Sequence, residues 1–167
     1  MGNIQKMYTI IAVLIVFIFS GCFSTKQEEQ SLTHDSSRPL VINVLDKSMY
    51  EDCHIPGSVH VDFDKVDTYV QNISKDTEII LYCSNYACGT SEYVGKHLQS
   101  LGYKNVFAYE GGIAEWYQAG LPVVGPCKAQ YLSRVMKKAQ EIDEGESKTP
   151  VISMQDLAAK LNIDINK

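Results

Sequence analysis

The stretch TEIILYCSNYACGTSEYVGKHL, residues 77–98, decides the fold. Its first half carries an apolar run over residues 79–82 that ends at Cys83, which predicts a buried strand. Ser84, Asn85, Tyr86, Ala87, Cys88 and Gly89 then form a short polar loop. Beyond the loop, Tyr93, Val94, His97, Leu98 and Leu101 recur at helical spacing, and Gly102 stops the pattern. A thiol is thereby set where a strand ends and a helix begins. Free backbone N–H groups and the positive end of the helix dipole stabilise an anion in such a place. Cys83 is therefore expected to be a thiolate of lowered pKa and a nucleophile. The plainer alternative is a buried cysteine that packs as a small hydrophobe.

The same alternation extends in both directions. Residues 40–44 and the run around Val59 and Val61 read as short strands. Val66, Tyr69, Val70 and Ile73 suggest a helix over 63–73. Residues 105–109 read as another strand, followed by a turn at Gly111 and Gly112 and a short helix over 113–119. Strands alternating with helices imply an α/β fold, a mostly parallel sheet flanked by helices on both faces. Sites in such folds form at the carboxyl ends of the strands, where Cys83 stands. Past residue 125 the spacing predicts a short helical C-terminal extension over 126–167. It holds a helix over 128–142 and a second one capped by Ser153 that carries Leu157 and Leu161.

Around the central unit lie VINVL (41–45), YEDCHIPGSV (50–59), GYKNV (102–106), YEGGIAEW (109–116) and GLPV (120–123). In this order and spacing the chain resembles the rhodanese family of sulfurtransferases over residues 39–125. The resemblance implies that Cys83 attacks a small sulfur donor and carries the sulfur as a persulfide, which a thiol acceptor or cyanide collects. The backbone amides of residues 84–89 would hold the anionic outer sulfur. No cofactor is implied.

Three departures from the family pattern matter. Asn43 and Leu45 stand where Asp and Arg are common, so a buried ion pair is lost and structure is affected more than chemistry. The loop is longer between Cys83 and Ser91. It also contains no Lys or Arg. Longer loops in relatives of this fold serve phosphatases and arsenate reductases, which grip a dianion through a loop arginine. That position is empty here, which argues against phosphatase activity and suggests weak binding of thiosulfate. Competing readings are a non-catalytic binding or thiol-sensing module, and a thiol–disulfide enzyme that uses Cys83 and Cys88.

The chain has five cysteines. Cys22 closes an apolar run over 10–19 that follows Lys6, and Ser20 and Gly21 precede it. The run is too short to span a bilayer and fits a signal-peptide core. Its end resembles a bacterial lipoprotein box. The resemblance implies a signal peptide over 1–21, lipid attachment at Cys22, a flexible tether over 22–38 and an extracytoplasmic place in the cell envelope. In that case the membrane is a partner through the lipid anchor. Loss of residues 1–21 removes Lys6 and no acid, so 14 basic and 20 acidic residues remain, a net charge of −6. An acidic chain with no basic cluster argues against nucleic acid.

Of the other cysteines, Cys88 is a candidate redox partner of Cys83, or packs against the following helix. Cys53, where the family has Gly, reads as a buried small residue, and Cys127 is free or paired. Four cysteines allow three full pairings. Two sulfurs without a neighbouring Cys or His pair make no zinc site, so no metal is expected. His54 reads as a turn histidine, His97 as packed, and His34 and His60 have no local partner. Trp116 and Tyr109 read as core, and Ser91 as a neighbour of the loop.

Overall fold

The computed structural model describes residues 38–134 and 149–165. The expected signal segment, Cys22, His34 and the tether up to residue 37 lie outside them, as do residues 135–142 of the expected 128–142 helix.

Four strands form one parallel sheet: β1 (Leu40–Asn43), β2 (Val59–His60), β3 (Glu78–Tyr82) and β4 (Asn105–Tyr109), in the order β2-β1-β3-β4. Ile79, Ile80, Leu81 and Tyr82 are all fully buried. Successive strand residues point to opposite faces, so both faces of the sheet are covered. From β1 the chain steps to β2 on one side and then crosses to β3 on the other. The crevice beyond the carboxyl ends of β1 and β3 is therefore a topological switch point, the usual place for a site in an open parallel sheet. Asn43, Tyr82 and Tyr109 pair in register across these ends, and Cys83 is the next residue out.

Five α-helices lie among the described residues: α1 (Lys47–Asp52), α2 (Val66–Val70), α3 (Thr90–Ser100), α4 (Gly112–Gln118) and α5 (Met154–Lys160). The helix expected over 63–73 is shorter. A 3₁₀ turn, Phe63–Lys65, leads into α2, and Ile73 belongs to the next turn, donating its N–H to Val70. In α3 the buried stripe is Ser91, Val94, Gly95 and Leu98. Tyr93 and His97, read as part of that stripe, face solvent, and His97 Nε2 lies 3.6 Å from Asp67. The first described turn of the C-terminal extension is 3₁₀, Gln130–Ser133. Ser153 caps α5 by accepting from the Asp156 N–H at 3.1 Å. Leu157 beneath it is fully buried.

Trp116 is core, as expected, and its indole N–H donates to the Pro122 carbonyl at 2.8 Å. His54 is hydrogen-bonded to the Tyr50 carbonyl and stacks on the Tyr50 ring. His60, expected to have no partner, lies 2.7 Å from the Leu45 carbonyl. The reading of Cys53 as a lone buried residue is overturned: Cys53 and Cys127 form a disulfide. Around it the chain crosses back over α1. The Asp52 carboxylate accepts from the amides of Lys128 and Ala129, and the Asp52 carbonyl accepts from Cys127.

Candidate active site

Cys83 leaves β3 fully buried, and the loop 84–89 closes over it. Three devices hold that loop. Its inner half is fastened by α4, whose Ile113 and Ala114 amides donate to the carbonyls of Cys83 and Ser84 at 3.0 Å each. Such close approach requires glycine at 112. Its backbone is left-handed, φ +60°, and a Cβ there would lie 2.5 Å from the Cys83 carbonyl oxygen. The outer half is turned by Asn85, which accepts from the Ala87 N–H with its side chain and from the Cys88 N–H with its carbonyl. Glu115 adds a clamp. One carboxylate oxygen accepts from Tyr86 at 2.7 Å and the other from Tyr109 at 2.8 Å. Burial first, then this carboxylate, pushes the Tyr86 phenol up to about 12.

Asn43 shows what stands in place of the family's ion pair. Fully buried, it accepts the Leu45 N–H at 2.9 Å with its side-chain oxygen, as a carboxylate would, without requiring a cation.

The two free thiols meet in this loop. Cys83 Sγ donates to the Cys88 carbonyl at 3.0 Å and lies 3.6 Å from the Ser91 hydroxyl. Cys88 is half-buried, and its sulfur lies 3.4 Å from Thr90 Oγ1 at the start of α3. The charge distribution reverses the sequence expectation. Hydrogen bonding to Cys88, then burial, raises Cys83 far above an ordinary thiol. The Cys83 thiol, followed by the Thr90 hydroxyl and the amides of Thr90 and Ser84, lowers Cys88 to about 4 in spite of its partial burial. Both sulfurs meet the first turn of α3, Cys88 at Thr90 and Cys83 at Ser91, and it is Cys88 whose thiol is lowered.

Of the amides expected to hold an outer sulfur, those of Ala87 and Cys88 are already taken inside the loop. Thr90 and Glu115 carry no mark in the sequence pattern, and Gly112 reads there only as a turn residue. The start of the helix and the paired glycines were the available signals for Thr90 and Gly112. Beside Thr90 opens a cleft of about 340 Å³ lined by Phe63, Gly89, Thr90 and Tyr93.

The unequal thiols give a direct expectation. Brief treatment with iodoacetamide at pH 6 labels Cys88 and spares Cys83, because Cys88 is already a thiolate well above its own pKa and Cys83 is a buried thiol. Peptide mass mapping checks this; equal labelling, or labelling of Cys83 first, would contradict the arrangement.

Comparison with known proteins bears on the same region. The rhodanese-like domain family matches residues 26–119. The thiosulfate sulfurtransferase GlpE of Tolumonas auensis is 30% identical over 74 residues, which cover 44% of this chain and 68% of that protein. GlpE of Coxiella burnetii is 30% identical over 77 residues, covering 46% and 70%. The crystal structure of BH2092 from Bacillus halodurans aligns with a TM-score of 0.51 at 24% identity, over 74% of this chain and 79% of that one, and shares the fold.

Proposed function

The chain belongs to the rhodanese-like domain family, and from that premise we propose that it is a sulfurtransferase, taking sulfane sulfur from a small donor and holding it as a persulfide in the 83–88 loop. The observation that carries this reading is the pair of free thiols in the loop at the carboxyl end of β3, beside an open cleft. Cys83 holds the position that the family resemblance gives to the sulfur carrier, and Cys88, whose thiol is lowered, lies against it. A thiolate attacks the sulfur to be transferred, the donor's bond to that sulfur breaks (S–S in thiosulfate and persulfides, C–S in mercaptopyruvate), and a thiol acceptor later removes the sulfur.

The same reading has the domain work outside the cytoplasm, tethered by a lipid on Cys22. It is supported by the Ser20-Gly21-Cys22 pattern and by the Cys53–Cys127 disulfide, a bond that persists in oxidising compartments. Among the described residues no helix is long and apolar enough to cross a membrane.

Incubation with a sulfane donor, followed by digestion and mass analysis, tests the activity. The loop peptide should gain the mass of one sulfur atom and lose it when cyanide or a thiol is added. A loop that stays unmodified with thiosulfate, alkyl persulfides and mercaptopyruvate alike overturns the reading.

A further inference from the structure

Building on the sulfurtransferase reading, we infer that Tyr86 and Glu115 are positioning residues for that reaction: their hydrogen bond latches the outer half of the 84–89 loop over Cys83, and a donor reaches the thiol while that half stands open. The need for an opening follows from burial. Cys83 has no exposed surface, and its S–H is donated to the Cys88 carbonyl of the loop at 3.0 Å. A donor sulfur has to come within roughly 3–3.5 Å of the attacking atom, in line with the bond that breaks. The covering chain stands in that path.

The hydrogen bonds show which part of the cover can move. The inner end is fixed, because α4 donates its Ile113 and Ala114 amides to the Cys83 and Ser84 carbonyls. The outer end is fixed where the Gly89 carbonyl accepts from Tyr93 in the first turn of α3. Between these ends, residues 85–88 turn as one piece, since Asn85 accepts from both the Ala87 and the Cys88 amides. Ala87 and Gly89 are exposed, and a Cβ on Gly89 would meet nothing within 4 Å, so there is room to swing outward. The side chain that reaches from this piece to α4 is Tyr86, which donates to Glu115 at 2.7 Å.

Glu115 is itself held from the sheet side. Its second oxygen accepts from Tyr109, buried at the end of β4. Gly111 has an ordinary helical backbone, φ −61°, yet a Cβ on it would fall 1.9 Å from Glu115 Oε2. Glycine at 111 therefore clears the ground that the carboxylate occupies. Burial first, then Glu115 and Glu110, keeps the Tyr86 phenol protonated, so the latch retains its donor at neutral pH. Losing a hydrogen bond to a carboxylate should raise the open fraction roughly ten- to hundred-fold.

Two rates on the full chain read that fraction. One is the alkylation of Cys83 by iodoacetamide at pH 8, in a Cys88→Ser background that keeps the covering backbone carbonyl and leaves a single free thiol in the described fold. The other is the second-order rate at which a low-mass alkyl persulfide loads Cys83, read with Cys88 in place and located by fragment masses. In the loading step the bond from Cys83 to the donor's outer sulfur forms, the donor's S–S bond breaks, and the alkyl thiolate leaves and takes up the Cys83 proton. A donor that meets the open form alone loads in proportion to the open fraction. Both rates should therefore rise together, roughly ten- to hundred-fold, in Tyr86→Phe, with little change in melting temperature. Glu115→Gln offers one acceptor to two phenols and should fall between the wild type and Tyr86→Phe. A tie that merely stabilised the fold would slow loading when cut. Unchanged rates in both variants, or faster alkylation with slower loading, overturn this inference and leave the sulfurtransferase reading standing. Alkylation that rises as expected in protein that never takes up sulfur upholds the latch and overturns the sulfurtransferase reading instead.

Discussion

Breaking the Cys53–Cys127 disulfide, by reduction or as the Cys53→Ser/Cys127→Ser double variant, lowers the melting temperature of the domain by roughly 10–20 °C. The bond joins residues 74 apart in sequence. Closing a loop of that size removes unfolded-state entropy worth about 4 kcal/mol in the chain-entropy account. The link also holds Cys127 in a left-handed conformation, φ +47°, which a non-glycine residue adopts at a cost of order 1 kcal/mol. The preceding Gly125, φ +108°, crosses so close to α1 that a Cβ would lie 2.3 Å from the Asp52 carbonyl oxygen. The Asp52 carboxylate still grips Lys128 and Ala129 after the bond is cut. The variant should therefore fold to the same structure at low temperature, with the transition shifted. Calorimetry of both forms provides the measurement. An unchanged melting temperature would show that the unfolded chain is already confined and that the bond is thermodynamically idle.

Thiosulfate should be a poor substrate despite the names carried by the GlpE relatives. Residues 83–91 contain no Lys or Arg. The nearby carboxylates point the wrong way for an anion: Glu115 grips the loop through Tyr86, and Glu115 and Glu110 both raise the Tyr86 phenol. The cleft beside Cys88 is lined by Phe63, Gly89, Thr90 and Tyr93, none of them charged. A guanidinium paired with such a dianion typically contributes ~1.5–3 kcal/mol, or roughly ten- to hundred-fold in affinity. The wild type should therefore saturate with alkyl persulfides at concentrations about ten- to hundred-fold below those needed for thiosulfate. Ala87 is exposed and its N–H is already satisfied by Asn85, so a long side chain there can reach the loop mouth without disturbing the turn. Ala87→Arg should recover much of the difference for thiosulfate and little for persulfides. Steady-state kinetics with both donor classes decide it. Equal KM values in the wild type, or no response to Ala87→Arg, would mean that loop charge does not set specificity.

The strand, loop and helix around Cys83 were legible because local pattern dictates them. Residues 79–82 form an apolar run, the helix stripe follows at its proper period, and glycines mark the turns. What escaped was whatever depends on two distant or differently oriented groups. Cys53 and Cys127 gave no local sign of pairing, since the match is made by a strap that crosses α1 after Gly125. Likewise, Cys83 and Cys88 share one loop, and the sequence pattern put the thiolate on Cys83, whereas Cys83 is raised and Cys88 lowered. The difference depends on the turn at Asn85, which brings Cys88 onto Thr90 and the Ser84 amide while Cys83 lies buried against Ser91. Tyr93 and His97 fitted the helical period but fall on its outer border, where periodicity is least decisive.

The outer side of β4 carries a consequence of its own. A strand at the rim of a sheet offers unpaired N–H and C=O groups to any other chain, and that is how folded domains begin to stick to one another. Here Ala108, near the end of that rim, is matched by a later segment of the chain: its N–H donates to the Pro150 carbonyl at 2.8 Å and its carbonyl accepts from the Ile152 N–H at 3.0 Å. Thr149 anchors this cover by donating to the Glu92 carbonyl, packed where any residue larger than Gly95 would collide with it. Pro150 lends its carbonyl inward and has no N–H to present outward, so the cover does not become a fresh rim at that point. Residues 149–152 thus cover part of the one edge that β4 leaves open, some forty positions beyond the strand they shield.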